Sequence, residues 1–139
     1  MKMKTLIVYK TFLGSSKKYA KWLHEAVPSD LMRAAKAKDK LLATYDAVAM
    51  FGGTYAGKLS LAGYIEKHWD VLKSKKVVFV TVAGAPDTEA VSVAAFAKVP
   101  EEIRGGVKHF HLRGKFGKTN ADEVTPDRIK PVADYLKNL

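Results

Sequence analysis

Apolar runs alternate with amphipathic stretches along the whole chain, which predicts alternating strands and helices. Most of the runs are rich in β-branched and aromatic residues, as in strands covered on both faces. The predicted strands are Leu6–Tyr9, Ser29–Met32, Tyr45–Phe51, Lys76–Ala83 and Val107–Leu112. The second has only two apolar residues and the last alternates in character, so we expect both at sheet edges.

Between these runs, apolar residues recur at helical spacing. The predicted helical segments are Ser15–Val27, Ala34–Thr44 (a short helix or a loop), Leu59–Leu72, a helix capped by Thr88, a turn opening at Pro100, and a final helix from Thr125. In the third segment Leu61, Ile65, Trp69 and Leu72 are spaced to face a sheet. His68 beside them is interpreted as a surface or half-buried residue and not as a ligand.

Five strands alternating with helices predict a doubly wound α/β fold, in which helices cover both faces of a parallel sheet. Right-handed crossovers favour the strand order 2-1-3-4-5 in a three-layer αβα sandwich. With 139 residues, the chain is expected to form a single domain, residues 1–139. In such sheets ligands bind beyond the carboxyl ends of the strands, where the winding reverses between the first and third strands.

The segment after the first strand has the chemistry of a phosphate site. Thr11, Gly14, Ser15 and Ser16 place hydroxyls and backbone N–H groups at a predicted helix N-terminus, where the helix dipole also favours an anion. The segment contains neither G-x-G-x-x-G nor G-x-x-x-x-G-K-[ST]. The hydroxyls and N–H groups thus predict a site for a phosphate monoester. A glycine and serines before a helix are also ordinary turn residues, so a plain turn is the alternative.

Two further turns are predicted on the same rim. Gly52 to Lys58 contains three glycines and, in its middle, Tyr55. Glycines there indicate a tight turn or close approach to a ligand. The tyrosine can stack on a flat ring or pack on its own loop. The third turn is Gly84-Ala85-Pro86-Asp87.

Charge and cysteine content narrow the function classes. The chain carries 24 Lys+Arg against 14 Asp+Glu, a formal net charge of +10, with a pI near 9.7. This attracts acidic partners, but the lysines are scattered, so no specific nucleic acid is expected and a merely solvated surface remains an alternative. No cysteine is present, which excludes thiolate chemistry and Fe–S ligation.

The chain has no apolar stretch long enough to span a membrane. We therefore expect a cytoplasmic protein, with peripheral membrane contact as an open option. His109 and His111 share one face of the last strand, a spacing that can hold a metal. Because no third ligand is nearby, we interpret them as edge-strand residues and predict no metal site.

Four blocks give the chain a family resemblance. They are TLIVYKTFLGSSKKYAKWL, YDAVAMFGGTYAGKLS, VVFVTVAGAPDTE and PEEIRGGVKHFHLRGKF. Together they resemble the flavodoxin-domain family, in the branch that includes menaquinone-dependent protoporphyrinogen oxidases. TFLGSS resembles the flavodoxin phosphate loop T-x-[ST]-G-x-[ST], with Leu13 in place of the middle hydroxyl.

That resemblance implies FMN as the cofactor. The 5′-phosphate would be held by Thr11, Leu13, Gly14, Ser15 and Ser16. One side of the isoalloxazine would be bordered by Gly53, Thr54, Tyr55 and Ala56, and the other by Gly84, Ala85 and Pro86. No side chain is predicted to act as a catalytic acid or base, because in such proteins the cofactor performs the chemistry.

The resemblance implies an FMN-binding redox protein, either an electron carrier or a small oxidoreductase. The oxidases carry extra sequence after the Leu-Arg-Gly block, where this chain has only Lys115–Glu123 before the last helix, and this counts against porphyrin oxidation. The alternative is a basic binding module that keeps the fold without the cofactor. A receiver-type signalling domain is disfavoured because no acidic pair precedes the first turn.

The expected partners are an acidic redox protein, a quinone or a small anionic substrate. Lys58, Arg113 and Lys115 are predicted to lie beside the ring edge, where they would attract an acidic partner.

Overall fold

A parallel β-sheet forms the centre of the computed structural model, which describes residues 3–10, 14–55, 58–83, 90–114 and 124–139. The strands are β1 (Thr5–Lys10), β2 (Asp30–Arg33), β3 (Ala47–Tyr55), β4 (Lys58–Leu59), β5 (Lys76–Ala83) and β6 (Val107–Arg113). In the described ranges the parallel strands lie in the order β2-β1-β3-β5-β6, and β4 pairs antiparallel with β3. Numbered by themselves, the five parallel strands have the predicted order 2-1-3-4-5, which is thus confirmed.

Helices follow the strands and cover the sheet. They are α1 (Ser15–Ala26), α2 (Asp39–Leu42), α3 (Ala62–Lys67), α4 (Trp69–Leu72), α5 (Ala90–Ala97), α6 (Glu101–Gly105) and α7 (Lys130–Lys137), with 3₁₀ turns at Ala34–Lys36 and Pro126–Ile129. Within the described ranges, none of these helices has both the length and the apolar character that crossing a bilayer requires.

Two hydrophobic cores lie on opposite faces of the sheet. Because side chains alternate along a strand, Val48 and Met50 of β3 join the core beneath α2 to α6, whereas Ala49 and Phe51 join the core beneath α1 and α7. Both faces of the strand are therefore buried, as the continuous apolar runs predict. The result is the three-layer αβα arrangement.

The segment after β3 differs from its prediction. The strand does not stop at Phe51 but continues through Gly52 and Gly53 to Tyr55. Leu59 pairs with Thr54 in the short β4, so it does not begin a helix. The predicted single helix is instead two short ones, α3 and α4, separated at His68, whose backbone leaves helical geometry at φ −104° and ψ 10°.

His68 is buried, with 6% of its surface exposed, so its interpretation as a surface or half-buried residue was wrong. Its ring Nδ1 lies 2.6 Å from the Asp39 carboxylate on α2, and the ring lies 4.6 Å from that of Tyr64. The imidazole is buried because the hydrogen bond with Asp39 satisfies its polar nitrogen. The pair thereby fastens α2 to the junction of α3 and α4.

The last strand lies at a sheet edge, as its alternating sequence indicates. His109 Nε2 lies 2.8 Å from Thr81 Oγ1 on β5, and its ring stacks on Phe96 at 3.9 Å between centroids. These contacts give this histidine a packing role between the edge strand and α5.

Candidate functional site

The carboxyl ends of the parallel strands form one edge of the sheet, and the predicted site residues follow these ends. The register places Lys10 of β1 opposite Gly52 of β3, Gly53 of β3 opposite Val82 of β5, and Ala83 of β5 opposite Arg113 of β6. The winding of the chain reverses between β1 and β3, because β2 lies on one side of β1 and the later strands on the other. This is the place where open α/β sheets bind ligands.

At this edge α1 is preceded by Gly14, whose backbone conformation most other residues disfavour. Gly14 has φ +91°, in the left-handed region that side chains with a Cβ disfavour. The first hydrogen bond of the helix joins the Lys18 N–H to the Gly14 carbonyl at 3.1 Å. The N–H groups of the preceding helical residues therefore point out of the helix end.

The first turn of α1 carries hydroxyls and no acidic residue. Ser15 and Ser16 are buried, at 8% and 4% exposed, and Lys17 and Lys18 beside them are exposed. The helix dipole, the N–H groups and the two lysines all favour an anion at this position. The turn has the chemistry of a phosphate site.

A hydrogen bond from α1 fixes this turn relative to the far edge of the sheet. The hydroxyl of Tyr19, which is fully buried, donates to the Arg113 carbonyl at the end of β6, at 2.6 Å. The Gly114 N–H donates to the Ala83 carbonyl at 2.7 Å. The ends of β5, β6 and the start of α1 are thus held together at the site edge.

The glycines of β3 are explained by close packing. A Cβ on Gly52 would come within 2.8 Å of both Leu61 Cγ and Ser60 Oγ, and a Cβ on Gly53 would come within 3.2 Å of the Val82 carbonyl oxygen. The sequence predicted a loop here, but both glycines lie in the strand. Their role within the described residues is to let the segment after β4 lie against β3.

Tyr55 is the last residue of β3 and pairs with Lys58 in an antiparallel hairpin. The structure describes Thr54 and Tyr55 by their backbone, which places them at the tip of this hairpin. Beside Gly52, Ser60 Oγ is buried and has no hydrogen-bond partner in the described part of the chain. An unsatisfied buried hydroxyl costs free energy unless a further group supplies its partner.

Several predicted residues lie outside the described ranges: Thr11, Leu13, Ala56, Gly84, Ala85 and Pro86. Their assignment to a cofactor stays a prediction. Of the others, Gly14, Ser15 and Ser16 follow β1, and Gly53, Thr54 and Tyr55 end β3. These two strands are neighbours in the sheet, so both groups lie on the same edge.

Sequence reasoning missed a polar cluster on the β2 side of this edge. The Tyr64 hydroxyl donates to the Ala37 carbonyl, and burial, with a smaller contribution from Asp39, raises the pKa of Tyr64 to about 12. At the opposite, amino edge of the sheet, burial and a 2.6 Å hydrogen bond to Asp30 raise the pKa of Tyr45 to about 12. A signal was present for His68, because its spacing from Leu61 and Ile65 places it on the buried helix face.

The raised pKa of Tyr64 predicts that the protein loses stability at alkaline pH. Its neutral form is favoured in the folded state, so its contribution to stability is complete below pH 10 and is lost as pH rises through about 12. We expect Tyr64→Phe to lower the free energy of unfolding at neutral pH but to flatten its fall across this window. Urea unfolding at a series of alkaline pH values measures both effects. If the free energy of unfolding of the variant fell with pH as steeply as that of the wild type, the prediction would be contradicted.

Comparison with known proteins defines the family. A family model described as a flavodoxin domain matches residues 6–126, and the chain therefore belongs to the flavodoxin-domain family. The resemblance found in the sequence is thus confirmed at the level of the family. Its narrower assignment, to the branch with menaquinone-dependent protoporphyrinogen oxidases, stays a prediction, and no curated protein matches the chain.

Solved structures share the fold at low sequence identity. Flavodoxin 2 from Bacillus cereus, in its oxidised form, is 17% identical, with a TM-score of 0.67 over 97% of this chain and 98% of its own. The two-electron reduced flavodoxin of Megasphaera elsdenii is 16% identical, with a TM-score of 0.65 over 94% and 98%. A flavoprotein in complex with FMN from Lactobacillus acidophilus NCFM is 13% identical, with a TM-score of 0.56 over 81% and 93%.

Proposed function

We propose that this protein binds FMN at the carboxyl edge of the sheet and acts as a redox protein, either as an electron carrier or as a small oxidoreductase. The observation that carries the proposal is the start of α1, where Gly14 in a left-handed conformation precedes two buried serines. This start lies at the switch point of a flavodoxin-family sheet. The likeness to an FMN complex and to a reduced flavodoxin supports the same assignment.

The residues present fit the phosphate of FMN. Hydroxyls of Ser15 and Ser16 and the N–H groups of the first helical turn are donors suited to a dianion, and no acidic residue of that turn opposes it. FMN, when bound, supplies reversible one-electron and two-electron transfer. The chain would bind, orient and shield the cofactor, and by the family resemblance the hairpin at Tyr55 and residues 84–86 would border its ring.

Flavin selectivity tests this proposal. Quenching of flavin fluorescence is measured while the protein is added to FMN, FAD and riboflavin. We expect FMN to bind tightest and riboflavin roughly a hundredfold more weakly, because riboflavin lacks the phosphate and forfeits two charge-assisted hydrogen bonds. Equal affinity for FMN and riboflavin would refute the phosphate site. Failure to bind any flavin would favour the basic binding module.

For the partner, we propose an acidic redox protein attracted by the basic surface around the site. Lys17 and Lys18 are exposed on the first turn of α1, beside the proposed phosphate. The predicted contributions of Lys58 and Lys115 lie in side chains that the structure does not describe. Long-range attraction of this kind raises association rates and weakens with salt.

High salt and charge reversal at Lys17 should therefore each slow electron transfer. With FMN bound, we expect reduction by an acidic donor protein to slow steeply as salt rises past about 0.1 M, where screening reaches roughly 10 Å. Lys17→Glu should reproduce the slowing at low salt. Lys76→Glu is the matched control, because Lys76 is exposed at the first position of β5, on the opposite edge. A rate insensitive to salt and to Lys17→Glu would favour a neutral quinone.

A further inference from the structure

A cavity opens at the same edge of the sheet, on the β2 side of β1. Its volume is about 360 Å³, and it lies between the ends of β1 and β2, the 3₁₀ turn that follows β2, and the start of α3. The segments predicted to hold FMN follow β1, β3 and β5 instead. The described lining of the cavity thus comes from β1, β2, the turn after β2 and the start of α3, and Lys10 on its rim directly precedes the phosphate segment.

The floor and walls of the cavity are apolar and aromatic. Leu61, 1% exposed, and Ala34, 4% exposed, lie at its base. Tyr9 and Tyr64 are half-buried and line it from β1 and α3. The Tyr64 hydroxyl is engaged with the Ala37 carbonyl, so the ring presents mainly its apolar surface. Such a lining suits a flat hydrocarbon body.

The rim of the cavity is cationic. Lys10 and Arg33 are exposed, and neither forms an ion pair in the part of the chain that the structure describes. Lys10 Nζ donates to the Ser60 carbonyl at 3.5 Å, which holds the ammonium toward α3. Among the residues that the structure describes, those that line the cavity include no carboxylate. The rim thus has two positive charges that a ligand could neutralise.

We propose that this cavity binds a small aromatic carboxylate, with its ring against Tyr9, Tyr64 and Leu61 and its carboxylate between Lys10 and Arg33. The forked guanidinium of arginine matches the two oxygens of a carboxylate. The volume is at the lower end of the range for small-molecule sites and admits one compact ring system. The proposal rests on the cavity and its cations alone and holds whether or not FMN binds.

Calorimetry with a naphthoate, and with the corresponding neutral naphthamide, tests the site on the full chain. We expect the naphthoate to bind at least about fivefold more tightly than the amide, and Arg33→Gln to remove most of this difference. The matched control is Lys36→Gln. Lys36 is an exposed cation on the 3₁₀ turn that follows Arg33, and it is not among the described residues that line the cavity. It should change the affinity less than about twofold.

Two further measurements locate the binding. Ala35 is exposed and lines the cavity, so Ala35→Trp should fill it, abolish naphthoate binding and leave the unfolding temperature unchanged. Naphthoate binding should also persist in the presence of saturating FMN. The proposal is overturned if the naphthoate binds Ala35→Trp normally, if FMN displaces it competitively, or if Arg33→Gln and Lys36→Gln bind it equally well. Because none of these tests requires FMN to bind, failure of the flavin proposal would be seen separately.

Discussion

Gly14→Asp is expected to weaken FMN binding by at least about a hundredfold, since two unit charges about 4 Å apart repel by roughly 4 kcal/mol at an effective dielectric constant near 20. A Cβ at Gly14 would meet no described atom within 4 Å. The described part of the chain therefore leaves space for the side chain, whose charge would lie against the proposed phosphate. Titration of flavin fluorescence gives the affinity of the variant.

Gly14→Asn is the control that isolates charge from conformation. Asparagine and aspartate are nearly the same size, and both tolerate the left-handed backbone that φ +91° requires. We expect the asparagine variant to retain most of the affinity and to unfold at the same denaturant concentration as the aspartate variant. If both variants lose FMN equally, the residue acts through its backbone, and the phosphate does not lie against this turn.

Gly52→Val is expected to destabilise the protein by about 3 kcal/mol, at the upper end of the cost of overpacking a core. The added Cβ would lie 2.8 Å from Leu61 Cγ and 2.8 Å from Ser60 Oγ. Gly52 is also flanked in the sheet by Lys10 and Thr81, so β3 cannot move away without disturbing both neighbouring strands. Equilibrium urea unfolding measures the loss.

Gly63→Ala also replaces a glycine, but it should have the opposite effect on stability. Gly63 is exposed on α3, and a Cβ there meets no described atom within 4 Å. Alanine is a better helix former than glycine by about 1 kcal/mol, so this variant should be slightly more stable than the wild type. A loss of stability in Gly63→Ala, or a loss below about 1 kcal/mol in Gly52→Val, would contradict this account of the two glycines.

The elements that sequence reasoning predicted well are those with a strong and local signal. Lys76–Ala83 is a strand with the predicted bounds, because an unbroken β-branched run has no competing helical interpretation. The order of the strands also followed, since right-handed crossovers leave few arrangements for alternating strands and helices. For the site, Gly14 was identified from its place between a strand and a helix, and its positive φ agrees with that reasoning.

The features that were missed depend on contacts between segments distant in sequence. The hairpin at Tyr55 forms because β3 continues past two glycines, and glycines in a sequence ordinarily indicate the end of a strand. His68 is buried through its bond to Asp39, 29 residues away. The β2-side cavity likewise combines side chains from β1, β2 and α3. No local pattern encodes any of these three contacts.

The hydrogen bond from Tyr19 to Arg113 spans 94 positions of the chain. Residue 113 is synthesised long after the first turn of α1, so this bond cannot form until most of the chain has left the ribosome. Before then α1 can pack on β1 and β3, but it has no tie to the edge strand. A nascent chain that ends before β6 would therefore carry the proposed anion-binding turn without the bond that joins α1 to the far edge of the sheet.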